Sequence, residues 1–159
     1  MDAKTQKGRE ALQHSADAIT ILQSKSGKRF IPFSDDLPVD VDGFIEQNGV
    51  VVGLYEVKAR NMTYSDFQNK FKSEWLVTFD KLLRAAALSR QLQLSFTAIV
   101  YLIPDRIVLA KTLWDSEWTL KVDMYVRQTT TQRTVNGGSV SRANAYIDLS
   151  TAAIFRGDR

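Results

Sequence analysis

The chain has 159 residues, 44% of them hydrophobic and 25% charged, a balance that suits one soluble globular domain over 1–159 with no separate recognition module. It has no cysteine and a single histidine, His14, which excludes a disulfide framework, a thiolate metal site and an ordinary structural zinc site. The net charge of +3 is compatible with nucleic acid without arguing for it, and the first residues, Met1 to Lys7, lack the apolar stretch of a signal peptide. No segment approaches membrane-spanning length, so a cytoplasmic location is expected.

Leu12, Ala16, Ile19 and Leu22 recur at helical spacing and predict an amphipathic helix over about 8–23. Residues 29–33 read as a short strand that Pro32 restricts to an edge or an end. Next come Pro38-Val39-Asp40-Val41-Asp42-Gly43-Phe44 and the valine-rich run from Val50 to Lys58, two strands of a hairpin that turns around Gln47-Asn48-Gly49. Tyr64, Phe67, Phe71 and Trp75 share a helical face, as do Phe79, Leu82, Leu83 and Ala86. The continuous apolarity of 95–103 predicts a strand covered on both faces, followed by a Pro104-Asp105 turn and a strand over 106–110. Trp114 and Trp118 are spaced for one face of a helix. Val122, Met124 and Val126 alternate before Asn136-Gly137-Gly138, and Ala143, Ala145 and Ile147 after it, which predicts a further hairpin. Gly137 and Gly138 mark its turn and not a phosphate loop, because no helix start follows. The element order α, β, β, β, α, β with added strands is that of an α/β sandwich.

The central hairpin carries the chemistry. Glu56 and Lys58 lie two apart on a strand and share a face, roughly 6 to 7 Å from each other, while Tyr55 and Val57 turn to the core. A two-residue Asn48-Gly49 turn would place Asp42 opposite Tyr55 and leave the acids on opposite faces. A three-residue Gln47-Asn48-Gly49 turn with Gly49 left-handed, or an equivalent bulge in either strand, brings Asp40, Asp42, Glu56 and Lys58 to one face, and that arrangement is expected here. Two carboxylates there suit a hard cation such as Mg²⁺, with Asp42 and Glu56 as ligands and the Val57 carbonyl as a further one. Lys58 would orient or deprotonate the attacking water, or stabilise a pentavalent phosphorane.

Asp42-Gly43, Glu56-Val57-Lys58 and the element order around them resemble the PD-(D/E)XK, or restriction-endonuclease-like, nuclease superfamily, over about 8–110. The resemblance implies an α/β fold with an αβββαβ core, a mixed central sheet flanked by helices, here followed by a C-terminal β-hairpin. It implies that Asp42 and Glu56 bind Mg²⁺, with Mn²⁺ able to substitute, that Lys58 assists hydrolysis, and that Glu10 of the first helix adds to the site. Glu10 also suits an ordinary first-turn glutamate. The chain departs from the family pattern in its proline: Pro38 stands two residues before Asp40 and four before Asp42, which leaves Asp40 as a rival first acid. Asp42 is preferred, because Asp-Gly-Phe-Ile resembles the family's acid followed by apolar strand residues.

The expected activity is hydrolysis of DNA phosphodiester bonds, as a structure-selective or nonspecific endonuclease. By analogy with compact relatives, the protein would act as a homodimer in phage or mobile-element DNA processing, repair or recombination. Gln68 and Lys81 follow the Glu-x-Lys element where related nucleases place an auxiliary polar residue. The alternatives are a noncatalytic DNA-binding or assembly protein of the same fold, and an RNA-directed nuclease. Glu-x-Lys by itself also fits an exposed cross-strand ion pair. Lys25, Lys28 and Arg29, and Arg127, Arg133 and Arg142, form two basic groups that suit phosphate contacts or a solvated surface. His14 reads as a polar-face residue. The aromatic face from Tyr64 to Trp75 reads as core packing before base stacking or dimerisation.

Overall fold

The computed structural model describes residues 5–34, 39–133 and 136–158, with the side chains of 130–133 excepted. Helix α1 (Gln6–Ser26) starts where Thr5 accepts a hydrogen bond from the Gly8 N–H (3.0 Å) and stops at Gly27, which takes the left-handed conformation at φ 70°. β1 (Arg29–Pro32), β2 (Gly43–Gln47) and β3 (Val50–Arg60) form an antiparallel meander. α2 (Tyr64–Asn69), β4 (Glu74–Thr78) and α3 (Phe79–Leu92) follow, then β5 (Ser95–Leu102), β6 (Ile107–Trp114), β7 (Met124–Arg133), β8 (Ser139–Asp148) and β9 (Ala153–Arg156).

Among the described residues there are three helices and two sheets, so the fold is α/β. The larger sheet is mixed, ordered β1-β2-β3-β5-β6-β9, with β3 and β5 parallel and its other pairs antiparallel. The smaller is antiparallel, ordered β4-β8-β7. Helix α1 covers one face of the large sheet, where Ala18, Ile21 and Leu22 pack with Tyr55, Val57, Ile99 and Tyr101. On the other face Leu54, Ala98, Val100 and Leu109 meet Leu82 and Ala85 of α3 and Trp75, Val77, Ala145 and Ile147 of the small sheet. β5 is thus covered on both faces, as its unbroken apolarity predicts. None of the described helices is long and apolar enough to cross a membrane.

The structure differs from the sequence reading in three elements. The helix expected to run from Tyr64 through Trp75 ends at Asn69, because Lys72 and Ser73 take left-handed φ values of 54° and 57°, and the chain re-enters as a strand that buries Trp75 and Val77 at a period of two. Trp114 ends β6, whereas Trp118 sits in a turn at φ 64° and donates its indole N–H to the Ala86 carbonyl (3.2 Å), so the two share no helical face. The C-terminal hairpin forms as β7 and β8 but builds a second sheet with β4, and β9 adds an edge to the first.

Candidate active site

The β2–β3 turn has the two residues Asn48 and Gly49, both with positive φ (53° and 79°), the twist that suits a tight hairpin. The three-residue turn of the sequence reading is therefore not formed. Parity is restored in β3 instead: Ile45 faces Gly53 while Glu46 faces Val51, which leaves Val52 as an extra, bulged residue. The result is the pairing of Gly43 with Tyr55, so Asp42 arrives beside Glu56 and on its face.

At this point the two strands part. The Asp42 N–H donates to the Tyr55 carbonyl (2.9 Å), its carbonyl accepts from the Phe33 N–H (2.8 Å), and its Oδ2 accepts from the Val57 N–H (2.7 Å). A strand residue sends its N–H and C=O to the same side, so the Val57 carbonyl also lies on the edge that β2 has vacated. Glu56 is 2% exposed. The Lys58 Nζ stands 3.0 Å from Glu56 Oε1, and the Lys81 Nζ, from the first turn of α3, reaches the same oxygen. Two ammonium groups therefore converge on one buried carboxylate oxygen.

Electrostatics couple these groups. Burial of the Asp42 carboxyl, then the neighbouring Glu56 carboxylate, raise its pKa above the ordinary aspartate value, against the opposing pull of the Val57 N–H, Lys58 and Lys81. Burial acts against the charge on Lys81, but Glu56, the contact with Lys58 and Asp42 together outweigh it and the ammonium titrates above its usual range. Burial and the Asp42 carboxylate push the Tyr55 hydroxyl upward as well.

No protein-family model matches the chain, and no curated protein matches it. Among the described residues no three acidic or histidine side chains group as metal ligands. Two carboxylates and a backbone carbonyl remain, a donor set of hard oxygens that fits Mg²⁺, since that ion commonly takes one or two carboxylates and keeps several waters. Both lysines approach Glu56 through Oε1 and Val57 engages only one of the two Asp42 oxygens, which leaves an oxygen of each carboxylate for an ion.

The structure brings together Asp42, Glu56, Lys58, the Val57 backbone and Lys81. Asp40 is drawn away: its Oδ1 accepts from Arg84 Nε at 2.8 Å, which separates the two rival acids by their partners. Glu10 is exposed and accepts from Gln6 Nε2 (2.9 Å), outside this group. Gln68 is exposed and donates to the Tyr64 hydroxyl (3.1 Å), and His14 stands against the Tyr101 ring at 6.4 Å. In the basic groups, Lys25 pairs with Asp158 (3.7 Å), Arg29 pairs with Glu46 (3.1 Å), and Arg127 lies over the Tyr125 ring. Pro38 and the Arg133 side chain lie outside the described residues. The Asp40–Arg84 link escaped the sequence reading, although Arg84 stands three residues from Lys81 and hence on its side of the helix.

Proposed function

We propose that this chain is a Mg²⁺-dependent deoxyribonuclease of the PD-(D/E)XK, restriction-endonuclease-like kind. The observation that carries this reading is the meeting of Asp42, Glu56 and Lys58 where β2 and β3 part. An exposed salt-bridge ladder does not account for a glutamate 2% exposed with an aspartate beside it.

Asp42, Glu56 and the Val57 carbonyl would hold the ion. Mg²⁺ bound there supplies Lewis-acid stabilisation of phosphoryl oxygens and lowers the pKa of water. Lys58, its side chain 34% exposed and its ammonium paired with Glu56, is placed to orient the attacking water or steady the phosphorane. Lys81, held protonated by Glu56, is a fixed positive charge and not a base. A new P–O bond forms from water as the P–O bond to the leaving oxygen breaks, and a proton ends on that oxygen. The two carboxylates and two ammonium groups cancel in charge, so a divalent cation makes the centre positive, as an anionic phosphodiester and its more negative transition state require.

The test is digestion of linear, circular, single-stranded and branched DNA, with RNA alongside, by the wild type, Glu56→Ala and Lys58→Ala in Mg²⁺, Mn²⁺ or EDTA. Metal-dependent cutting of DNA that both substitutions abolish is expected. Equal DNA binding by all three proteins with no cutting would leave a noncatalytic binding protein, and preferential cutting of RNA would move the substrate class.

A further inference from the structure

We propose that the outward face of the small sheet is a stacking platform for single-stranded DNA and that Arg142 leads the strand from it toward the candidate active site; the second half rests on the nuclease reading. The β4-β8-β7 register places Leu76, Tyr146 and Tyr125 in one cross-strand row and Thr78, Asn144 and Arg127 in the next. The opposite face of this sheet is core, carrying Trp75, Val77, Ala145 and Ile147. The first of these rows is open, with Tyr125 42% exposed and Leu76 41%, whereas Asn144 at the centre of the second is buried.

Tyr125 and Tyr146 are already stacked, ring centroids 4.9 Å apart and planes within 5°, and the Arg127 guanidinium lies 5.1 Å from the Tyr125 centroid. The Glu74 carboxylate lies beside the Tyr125 hydroxyl along one edge of this face. Flat, pre-oriented rings beside arginines are what unpaired bases and their phosphates require. Each base stacked on an aromatic side chain strengthens binding by about fivefold to a hundredfold, whatever its identity. A paired base is already stacked within its duplex, so the platform selects a single-stranded segment.

Charge gives the face a direction. Glu74 and Asp148 are paired across the strands at one end, and with Asp123 they line the same pocket as the two tyrosines. Phosphates are excluded there, so the strand's backbone runs on the arginine side of the rings. Arg127 and Arg142 stand toward the other end, and among the described residues neither is in an ion pair. β4 stops at Thr78, opposite Asn144, so Arg142 lies on a stretch of β8 that β4 no longer borders. There it lines a polar groove of about 580 Å³ with Thr78, Gln128 and Arg84, two arginines against the single acid, Asp80, among the described residues that line it. Arg84 is three residues from Lys81 on α3, a rise of about 4.5 Å along the axis. The positive end of the platform therefore opens toward the helix that contacts Glu56.

The test measures fluorescence anisotropy of a labelled thymidine 20-mer and of a duplex of equal length, in EDTA, against the full chain and its Tyr125→Ala, Tyr125→Phe and Arg142→Ala variants. Melting curves check that each variant folds. Preference for the single strand is expected, with at least a tenfold loss in Tyr125→Ala, retention in Tyr125→Phe, and a shallower salt dependence in Arg142→Ala. Arg142→Ala decides the matter if Tyr125→Ala does not fold. Binding unchanged in both alanine variants would overturn the platform, as would tighter binding of the same sequence as RNA. Concentration-dependent dimers in sedimentation that Tyr125→Ala dissolves, without strand binding, would also overturn it and assign the face to a second copy. The two readings separate in Mg²⁺. Cutting by the wild type with an unchanged KM in both variants removes the platform alone, whereas Tyr125-dependent strand binding without cutting removes the nuclease alone.

Discussion

Asp42 is held against its own charge. Its carboxyl titrates above the unfolded value of 3.8 because burial and then Glu56 disfavour ionisation. In the window between 3.8 and the raised value the folded state binds more protons than the unfolded one, so stability is lost as pH rises through it. Asp42→Asn keeps an acceptor for the Val57 N–H and removes the charge. Its melting temperature at neutral pH should equal or exceed that of the wild type, with the gap closing as the pH falls through the window, while activity is lost. A wild type that melts above Asp42→Asn at neutral pH would contradict this account. The Asp40–Arg84 pair behaves differently, because its side chains are 39% and 57% exposed and such pairs contribute only about 0–1 kcal/mol. Arg84→Ala should therefore barely move the melting temperature. Since that pair ties the segment bearing Asp42 to the helix bearing Lys81, kcat should fall several-fold, and the swapped pair Asp40→Arg with Arg84→Asp should recover part of it.

At the scale of elements, the site depends on how one extra residue is accommodated. Residues alternate faces along a strand, so the even turn at Asn48-Gly49 would set Asp42 against the wrong face, and the bulge at Val52 reverses this. Deleting Val52 removes the bulge yet leaves Ile45 opposite Gly53 and Gly43 opposite Tyr55, so Asp42 stays beside Glu56. Cutting should survive, as digestion in Mg²⁺ by the deletion variant would check. Gly43 guards the same junction. A Cβ there would meet the Ile31 carbonyl at 2.2 Å and the Tyr55 ring at 2.8 Å, so Gly43→Ala should cost about 1–3 kcal/mol in urea unfolding. Period-two and period-3.6 patterns made most elements legible in the chain. The failure at 64–75 is instructive: Tyr64, Phe67, Phe71 and Trp75 keep helical spacing, yet left-handed backbone at Lys72 and Ser73, two residues with no special preference for it, divides them between a short helix and a strand.

Over the whole molecule, the two faces of the large sheet have different work. Helix α1 seals one face with Ala18, Ile21 and Leu22, and α3 with the small sheet closes the other while delivering Lys81 to Glu56. Lys81→Met should leave the Glu56 charge with Lys58 alone and lower kcat by ten- to a hundredfold with a smaller change in KM, measured under saturating Mg²⁺. Ion binding should also be visible without turnover. Mg²⁺ at a hundred times its dissociation constant should stabilise the wild type by about 2.7 kcal/mol, and Glu56→Ala should show no such rise in melting temperature.

The sequence by itself determined that Glu56 and Lys58 share a face and that Tyr55 and Val57 oppose them, because alternation along a strand is local and needs no partner. It also determined that the metal-binding candidates are carboxylates, there being no cysteine and one histidine. Tertiary structure alone decided the rest. The bulge at Val52 settled which face receives Asp42, Arg84 claimed Asp40, Lys81 joined the site and Glu10 stayed outside it. Each of these depends on how distant segments pack over the sheet, and no spacing along the chain encodes a distance between elements that meet only when the core closes.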